Sequence, residues 1–259
     1  MPEIEASKFA TQRDPLDAQV SGFLKASQAQ PVDFFAHTII VPNSALVTGG
    51  SIAADAYKSL PCTDFDTVIS IAPSEVGTFR KITVCSLARY NSPLGDVAVD
   101  DRIRNELCDE DDDIYVSDMG HFDHRGIDIQ LPFLQKVCSD FSVAPLVMGM
   151  ESVDFCKELG SAVGEIMFNR NTLTVACVDI LSATPVGLAR FEKYIIDLDV
   201  SRMMILLNQE NEIVVRGKGG VLTAMIAANH RRANAVHISG RKRPEDGSPG
   251  FIGALIGRS

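Results

Sequence analysis

Several stretches of this chain are apolar without interruption, and too short for buried helices. The clearest are residues 38–41, 66–72 (DTVISIA), 143–149 and 173–179 (LTVACVD). A strand with one wet face alternates apolar and polar residues; an unbroken run belongs to a strand covered on both faces. Between the runs lie segments with helical spacing, over 14–28, 52–60, 100–108, 152–168, 187–208 and from 216 to about 229. Asp14 and Pro15 suit the start of the first, and Leu16, Val20, Phe23 and Leu24 mark its apolar face. Further strands are expected at 82–87, 233–238 and 251–256. Strand and helix in alternation mean an α/β fold, with a mostly parallel central sheet flanked by crossover helices. Ligands of such sheets sit beyond the carboxyl ends of the strands. Those ends carry Asn43, Glu75, Asp179 and Ser239-Gly240.

No linker or repeat divides the 259 residues, so one domain spanning 1–259 is expected. The net charge of −10 argues against a nucleic-acid binder, which needs a positive face to displace counterions. No apolar run reaches membrane-spanning length, and residues 1–5 do not resemble a signal peptide. The six cysteines (62, 85, 108, 138, 156, 177) form no Cys-x-x-Cys pair and read as reduced core thiols of a cytoplasmic protein. The acidic run 108–113 lacks the glycine and closing glutamate of a calcium loop and reads as a solvated segment.

Residues 121–135 carry the densest chemistry. His121, Asp123, His124 and Arg125 fall within five residues, and apolar residues at 127, 131 and 134 then suit one helix face. Gly126 separates the halves, and Asp128 falls where a first helical turn favours a carboxylate. One reading is a polar loop delivering side chains to a cleft; the other is a surface loop before an ordinary core helix. The segment Arg216-Gly217-Lys218-Gly219-Gly220 is open to two readings as well, an anion cradle at a helix N-terminus or a plain glycine-rich helix entry.

Taken in order, the motifs resemble the Memo-like family, including protein B of the AmmeMemoRadiSam system. Val41-Pro42-Asn43-Ser44-Ala45 with Gly50 resembles V-P-H-A-G-Y…G, and Ile71-Ala72-Pro73-Ser74-Glu75 resembles L-G-P-N/S-H. Residues 92–97 with Asp100 resemble T-P-L-G-D-V…D, and 121–135 resemble A-H-x-x-E-H-S-I-E-V-Q-L-P-F-L-Q. Residues 175–182 resemble V-A-S-S-D-F-S-H, and 215–220 a C-G-x-x-P segment. The resemblance implies a fold similar to the LigB-like extradiol dioxygenases. It also implies a metal and redox site, built from the histidines of the first two motifs and, in animal members, a cysteine near the position of 241–243.

Here those metal positions hold other residues. Asn43 and Glu75 replace the two histidines, His124-Arg125 stands for E-H, Ser182 for the last histidine of S-S-D-F-S-H, and Arg216 for the cysteine of C-G; His121 and Asp179 match. Arginine has no lone pair to offer a metal, and an amide is a poor donor to iron, copper or zinc. The expectation is a degenerate site without a cofactor, in a non-catalytic protein that binds a small anion or a protein partner. Its cleft positions are Asn43, Glu75, His121, His124, Arg125, Asp179, Ser182 and Arg216. The charges of Glu75 and Asp179 are expected either to meet Arg125 and Arg216 or to turn to solvent. The alternative is a redox or dioxygenase-like enzyme with iron, copper or zinc in a site rebuilt from His121, His124, Glu75 and Asp179.

Overall fold

The computed structural model of the protein describes residues 12–61, 65–79, 81–110, 113–123, 125–245 and 247–259. The expectations placed on residues 1–5, Cys62, part of the acidic run and His124 lie outside them. The chain runs α1 (Arg13–Ala26), β1 (Phe35–Pro42), α2 (Leu46–Ser59), β2 (Thr67–Pro73), β3 (Ile82–Val84), β4 (Arg89–Tyr90), β5 (Val97–Ala98), α3 (Asp101–Glu110) and β6 (Ile114–Val116). It continues through α4 (Ile127–Val137), β7 (Ser142–Met148), α5 (Val153–Asn169), β8 (Thr172–Ala183), α6 (Pro185–Ile196), α7 (Val200–Gln209), β9 (Ile213–Arg216), α8 (Lys218–His230), β10 (Ala235–Lys242) and β11 (Phe251–Arg258).

Among the described residues the main sheet has the order β10-β11-β1-β8-β2-β7-β3-β6, and β9 pairs with the far end of β8. The middle strands β1, β8, β2 and β7 are parallel, as are β3 and β6. Antiparallel partners flank the middle: β11 joins β1, and β3 joins β7. The unbroken apolar runs are explained by two cores, one on each face. Ile40, Ile69, Ile71, Ala176 and Val178 enter the core built with α5 and α8. Their neighbours Ile39, Val41, Val68, Val175 and Cys177 enter the core built with α1, α2 and α4. Successive side chains point to opposite faces, so both parities had to be apolar.

Several boundaries depart from expectation. Helix α2 starts at Leu46, and the double glycine lies inside it rather than before it. A Cβ at Gly49 would come within 2.7 Å of Pro42 Cβ, and one at Gly50 within 2.6 Å of the Phe23 ring. These glycines serve close packing, which a sequence cannot distinguish from a turn. The expected helix 187–208 is two helices. Leu198 takes a φ of 53°, and Asp199 caps α7 by accepting from Arg202 N at 2.9 Å. The third strand stops at Val84 because Asp118 holds Ser86, accepting from its N at 2.9 Å and its Oγ at 2.8 Å. Strands β4, β5, β6 and β9 were not expected. Arg216, placed by sequence at a helix entry, ends β9.

Helix α4 starts where the apolar spacing begins, at Ile127. Its fully buried Gln130 donates to Pro42 O at 2.9 Å and accepts from Tyr57 OH at 3.1 Å, tying α4 to the end of β1 and to α2. Gln130→Leu would fill the same space and strand both partners away from water. Unfolding by urea should show a loss of about 2–4 kcal/mol, since each stranded polar group costs about 1–3 kcal/mol.

Candidate functional site

The carboxyl end of β1 and the turn into α2 are fixed by one buried carboxylate. Asp179, 1% exposed on β8, accepts from Asn43 N at 3.1 Å, Ser44 N at 3.0 Å and Ser44 Oγ at 2.6 Å. Burial pushes its carboxyl above the ordinary range, against the pull of the Ser44 and Asn43 donors and the Arg216 charge. Ser44 was not singled out by sequence, although it lies in the same short motif as Asn43. Parallel pairing of β1 with β8 places Pro42 beside Val178, so the two strand ends arrive at one level.

Glu75, two residues past the end of β2, meets two arginines from different elements. Arg125 Nη1 donates to its Oε2 at 3.3 Å. Arg216 Nη1 reaches Oε2 at 3.2 Å and Oε1 at 3.5 Å. Asn43 Nδ2 donates to Oε1 at 2.8 Å. The Glu75, Arg125 and Arg216 side chains keep 14%, 21% and 34% of their exposure, so the group is half-buried. Arg216 is delivered by antiparallel pairing across from Asp179. Of the two sequence readings, charges meeting or turning to solvent, the structure has them meet at Glu75. Asp179 is held instead by Ser44 and the Asn43 backbone.

Arg125 reaches the cleft because Gly126 lets its loop come close. Gly126 has a φ of 47°, and a Cβ there would lie 2.7 Å from Ala72 Cβ and 2.9 Å from Asn43 Oδ1. Its N–H donates to Asn43 O at 3.2 Å. Asp123 folds back to accept from Arg125 N at 3.0 Å. Burial, followed by the charges of Asp128 and Glu75, pushes the Asp123 carboxyl up to about 7. Such a group is a proton carrier near neutrality. Sequence reasoning noted its position but gave it no role, because burial is what creates the shift.

Two expected members stand apart from the Glu75 group. His121 is buried beside the Tyr90 ring, 6.0 Å between centroids, with Nε2 3.4 Å from Thr83 Oγ1. Burial lowers it to about 4, so it is neutral at physiological pH. It is part of the packing around β3 and not of the charge cluster. Ser182 lies beyond Asp179 where β8 becomes exposed, in register with Val214. His124 lies outside the described residues.

Beside the Glu75–Arg216 pair opens a cavity of about 550 Å³ lined by Ser74, Glu75, Thr78, Glu151, Arg216 and Lys218, among others. It sits at the carboxyl ends of β2 and β7. The entry of α8 forms part of its wall, but that helix terminus is already capped. Glu151 Oε1 accepts from Gly219 N at 2.9 Å, and Lys218 is paired with Glu210. The glycine-rich segment is therefore a helix entry closed by an internal carboxylate, and not a vacant anion cradle. Burial raises the Glu151 carboxyl. No sequence signal marked Glu151.

The fold and motifs agree with the relatives of this chain. A MEMO1 family protein of Methanobrevibacter smithii is 26% identical over 85% of this chain and 80% of its own length. One of Nitrosopumilus maritimus is 26% identical over 74% and 72%, and one of Methanococcoides burtonii 29% over 73% and 72%. Among solved structures, an uncharacterised protein of Escherichia coli K12 superposes with a TM-score of 0.55 at 14% identity, covering 85% of this chain and 99% of that one, a likeness of fold. The profile of Memo-like proteins matches residues 3–238, and the chain belongs to the Memo-like family.

Proposed function

We propose that this chain is a non-catalytic Memo-like protein that binds a small anion in the cleft between Glu75, Arg125 and Arg216. The observation that carries the reading is the sharing of one carboxylate, Glu75, by two guanidinium groups. Planar guanidinia bind carboxylates and phosphates through paired N–H donors. An incoming anion competes with Glu75 for them, and the neighbouring 550 Å³ cavity gives it room. The side chains do not fit the family's metal. Both Glu75 oxygens are taken by cations, both Asp179 oxygens by Ser44 or the Asn43 backbone, and Asn43 turns its Nδ2 to Glu75. Among the described residues no three His, Cys, Asp or Glu side chains are grouped to hold an ion.

Titration calorimetry with phosphate and with small dicarboxylates tests the reading directly. At least one should bind, and Arg216→Met and Arg125→Met should each weaken it by about tenfold or more, the scale of one lost charge-assisted hydrogen bond. Unchanged affinity in both variants would overturn it. Elemental analysis of the purified protein should find no stoichiometric iron, copper or zinc; one atom per chain would favour the redox alternative.

The network also predicts an order of stabilities. Glu75→Gln removes the carboxylate that two guanidinia share, whereas either Arg→Met leaves Glu75 its other partner. Denaturant unfolding should therefore show Glu75→Gln costing more than either single arginine change, with coupling energies of about 0.5–3 kcal/mol in the double-mutant cycles. Equal, additive losses under about 0.5 kcal/mol would mean that the three side chains do not act together.

Asp123 sets the pH dependence. Its folded value of about 7 lies above the unfolded carboxylate value of about 4. The stability that it contributes is complete below the unfolded value and is lost as pH rises through about 7. Asp123→Asn should thus be more stable than the parent protein at pH 8 and close to it at pH 4. Thermal melts at the two pH values give the comparison. Anion affinity of the parent should fall over the same interval, because an ionised Asp123 adds a negative charge beside Arg125.

A further inference from the structure

The last strand of the sheet in spatial order, β10, bonds only to β11 through its backbone among the described residues. Its other edge offers free N–H and C=O groups. Natural sheets usually cover or shorten such an edge. This one is eight residues long and lies at the floor of a groove of about 840 Å³. Its lining also includes the connector 29–34 and Ile196 at the end of α6, which is 52% exposed. The connector is firmly held: Val32 N donates to Ser59 O at 2.9 Å, Lys58 Nζ to Ser27 O at 2.7 Å, and Ser27 Oγ to Asp55 Oδ1 at 2.6 Å. A second cavity of about 440 Å³, bounded by Ser27, Ser51 and Asp55, shares Ala29 and Ser239 with the first and so lengthens the groove.

An open ladder beside such a groove suits a single extended strand. Charge selects the occupant further. Arg241, Lys242 and Arg243 are consecutive and exposed where β10 leaves the groove, in a chain of net charge −10. Arg241 remains 66% exposed while paired with Glu192 of α6, and Lys242 stands 5.9 Å over the Phe251 ring. Asp33 is also among the groove's lining residues. In a chain of net charge −10, this consecutive basic run attracts an acidic segment.

We infer that the β10 edge is a docking site for an extended, acidic peptide segment of a partner protein, added to the sheet as a further strand. Main-chain hydrogen bonds to β10 supply the affinity, and carboxylates near Lys242 and Arg243 supply the direction. The groove shares no lining residue with the cavity beside Glu75, and the inference does not depend on the anion-binding reading.

The test is selection from a randomised library of eight-residue peptides against the whole protein, followed by hydrogen exchange of the complex. Acidic peptides should be enriched, and they should slow exchange of β10 amides. Proline at the centre of a selected peptide should abolish binding, since it removes a ladder donor. The double change Lys242→Glu and Arg243→Glu lies on the exposed surface and leaves the core intact. It should weaken the peptides by about tenfold or more, and raising the salt should weaken binding to the parent protein in the same direction. The inference is overturned if the library yields no binder, if the binders are not acidic, if protection falls elsewhere, or if the charge reversal leaves affinity unchanged.

Discussion

The buried carboxylate of Asp179 is the point on which the cleft rests. It is placed by β8, whose first nine residues are buried, and it holds the turn after β1 by three hydrogen bonds. With that turn fixed, Asn43 presents its amide to Glu75 and its carbonyl to Gly126. Each contact depends on the one before. Gly126 comes close only because Asn43 is held still, and Arg125 reaches Glu75 only because Gly126 comes close. Arg216 arrives from the other side by strand pairing with Asp179 itself. One residue of β8 thus governs both faces of the charge cluster, the first through hydrogen bonds and the second through register.

A buried charge normally costs stability, and Asp179 shows how the cost is contained. Its partners are two backbone N–H groups and a hydroxyl, and these stabilise the ionised form while burial opposes it. Asp123 accepts from Arg125 N and has two carboxylates nearby; burial dominates there, and the value rises to about 7. Burial raises both aspartates, and the donors around Asp179 oppose the rise there. The same logic separates the histidine. His121 sits among Tyr90, Phe122 and Thr83 and stays neutral, so it fills space where a charged imidazolium would be costly.

How much of this was legible in the sequence depends on the range of the interaction that decides it. The strands 66–72 and 173–179 were visible because burial on both faces writes itself into every residue. Helix α4 was visible because its apolar spacing begins one residue after a glycine. The order of motifs was enough to identify the family. The glycines at 49 and 50 misled because their reason is a distant contact with Pro42 and Phe23. The separation of α6 from α7 was invisible because it rests on one left-handed residue and one cap. Glu151 carried no signal at all, since its role is to close a helix 68 positions along the chain. For the site, charge left the meeting of Glu75 with Arg125 and Arg216 as one of two readings, because it does not say whether the side chains turn to solvent, and the placing of His121 outside the cluster was not legible.

The ion-pair network at Glu75 has a structural consequence of its own. A metal bound by several strands links them through a single ion, and its loss would leave the strand ends to drift. Here Glu75 joins β2 to the 123–126 loop and to β9, and Asn43 joins it to β1. Four segments meet at one side chain, as four would meet at a metal, but through bonds that water and small anions can contest. Ion pairs with 14–34% exposure are screened and exchangeable. Such a junction ties the strand ends together through contacts that solvent can reach, so it fixes the shape of the cleft while leaving its charged groups exchangeable.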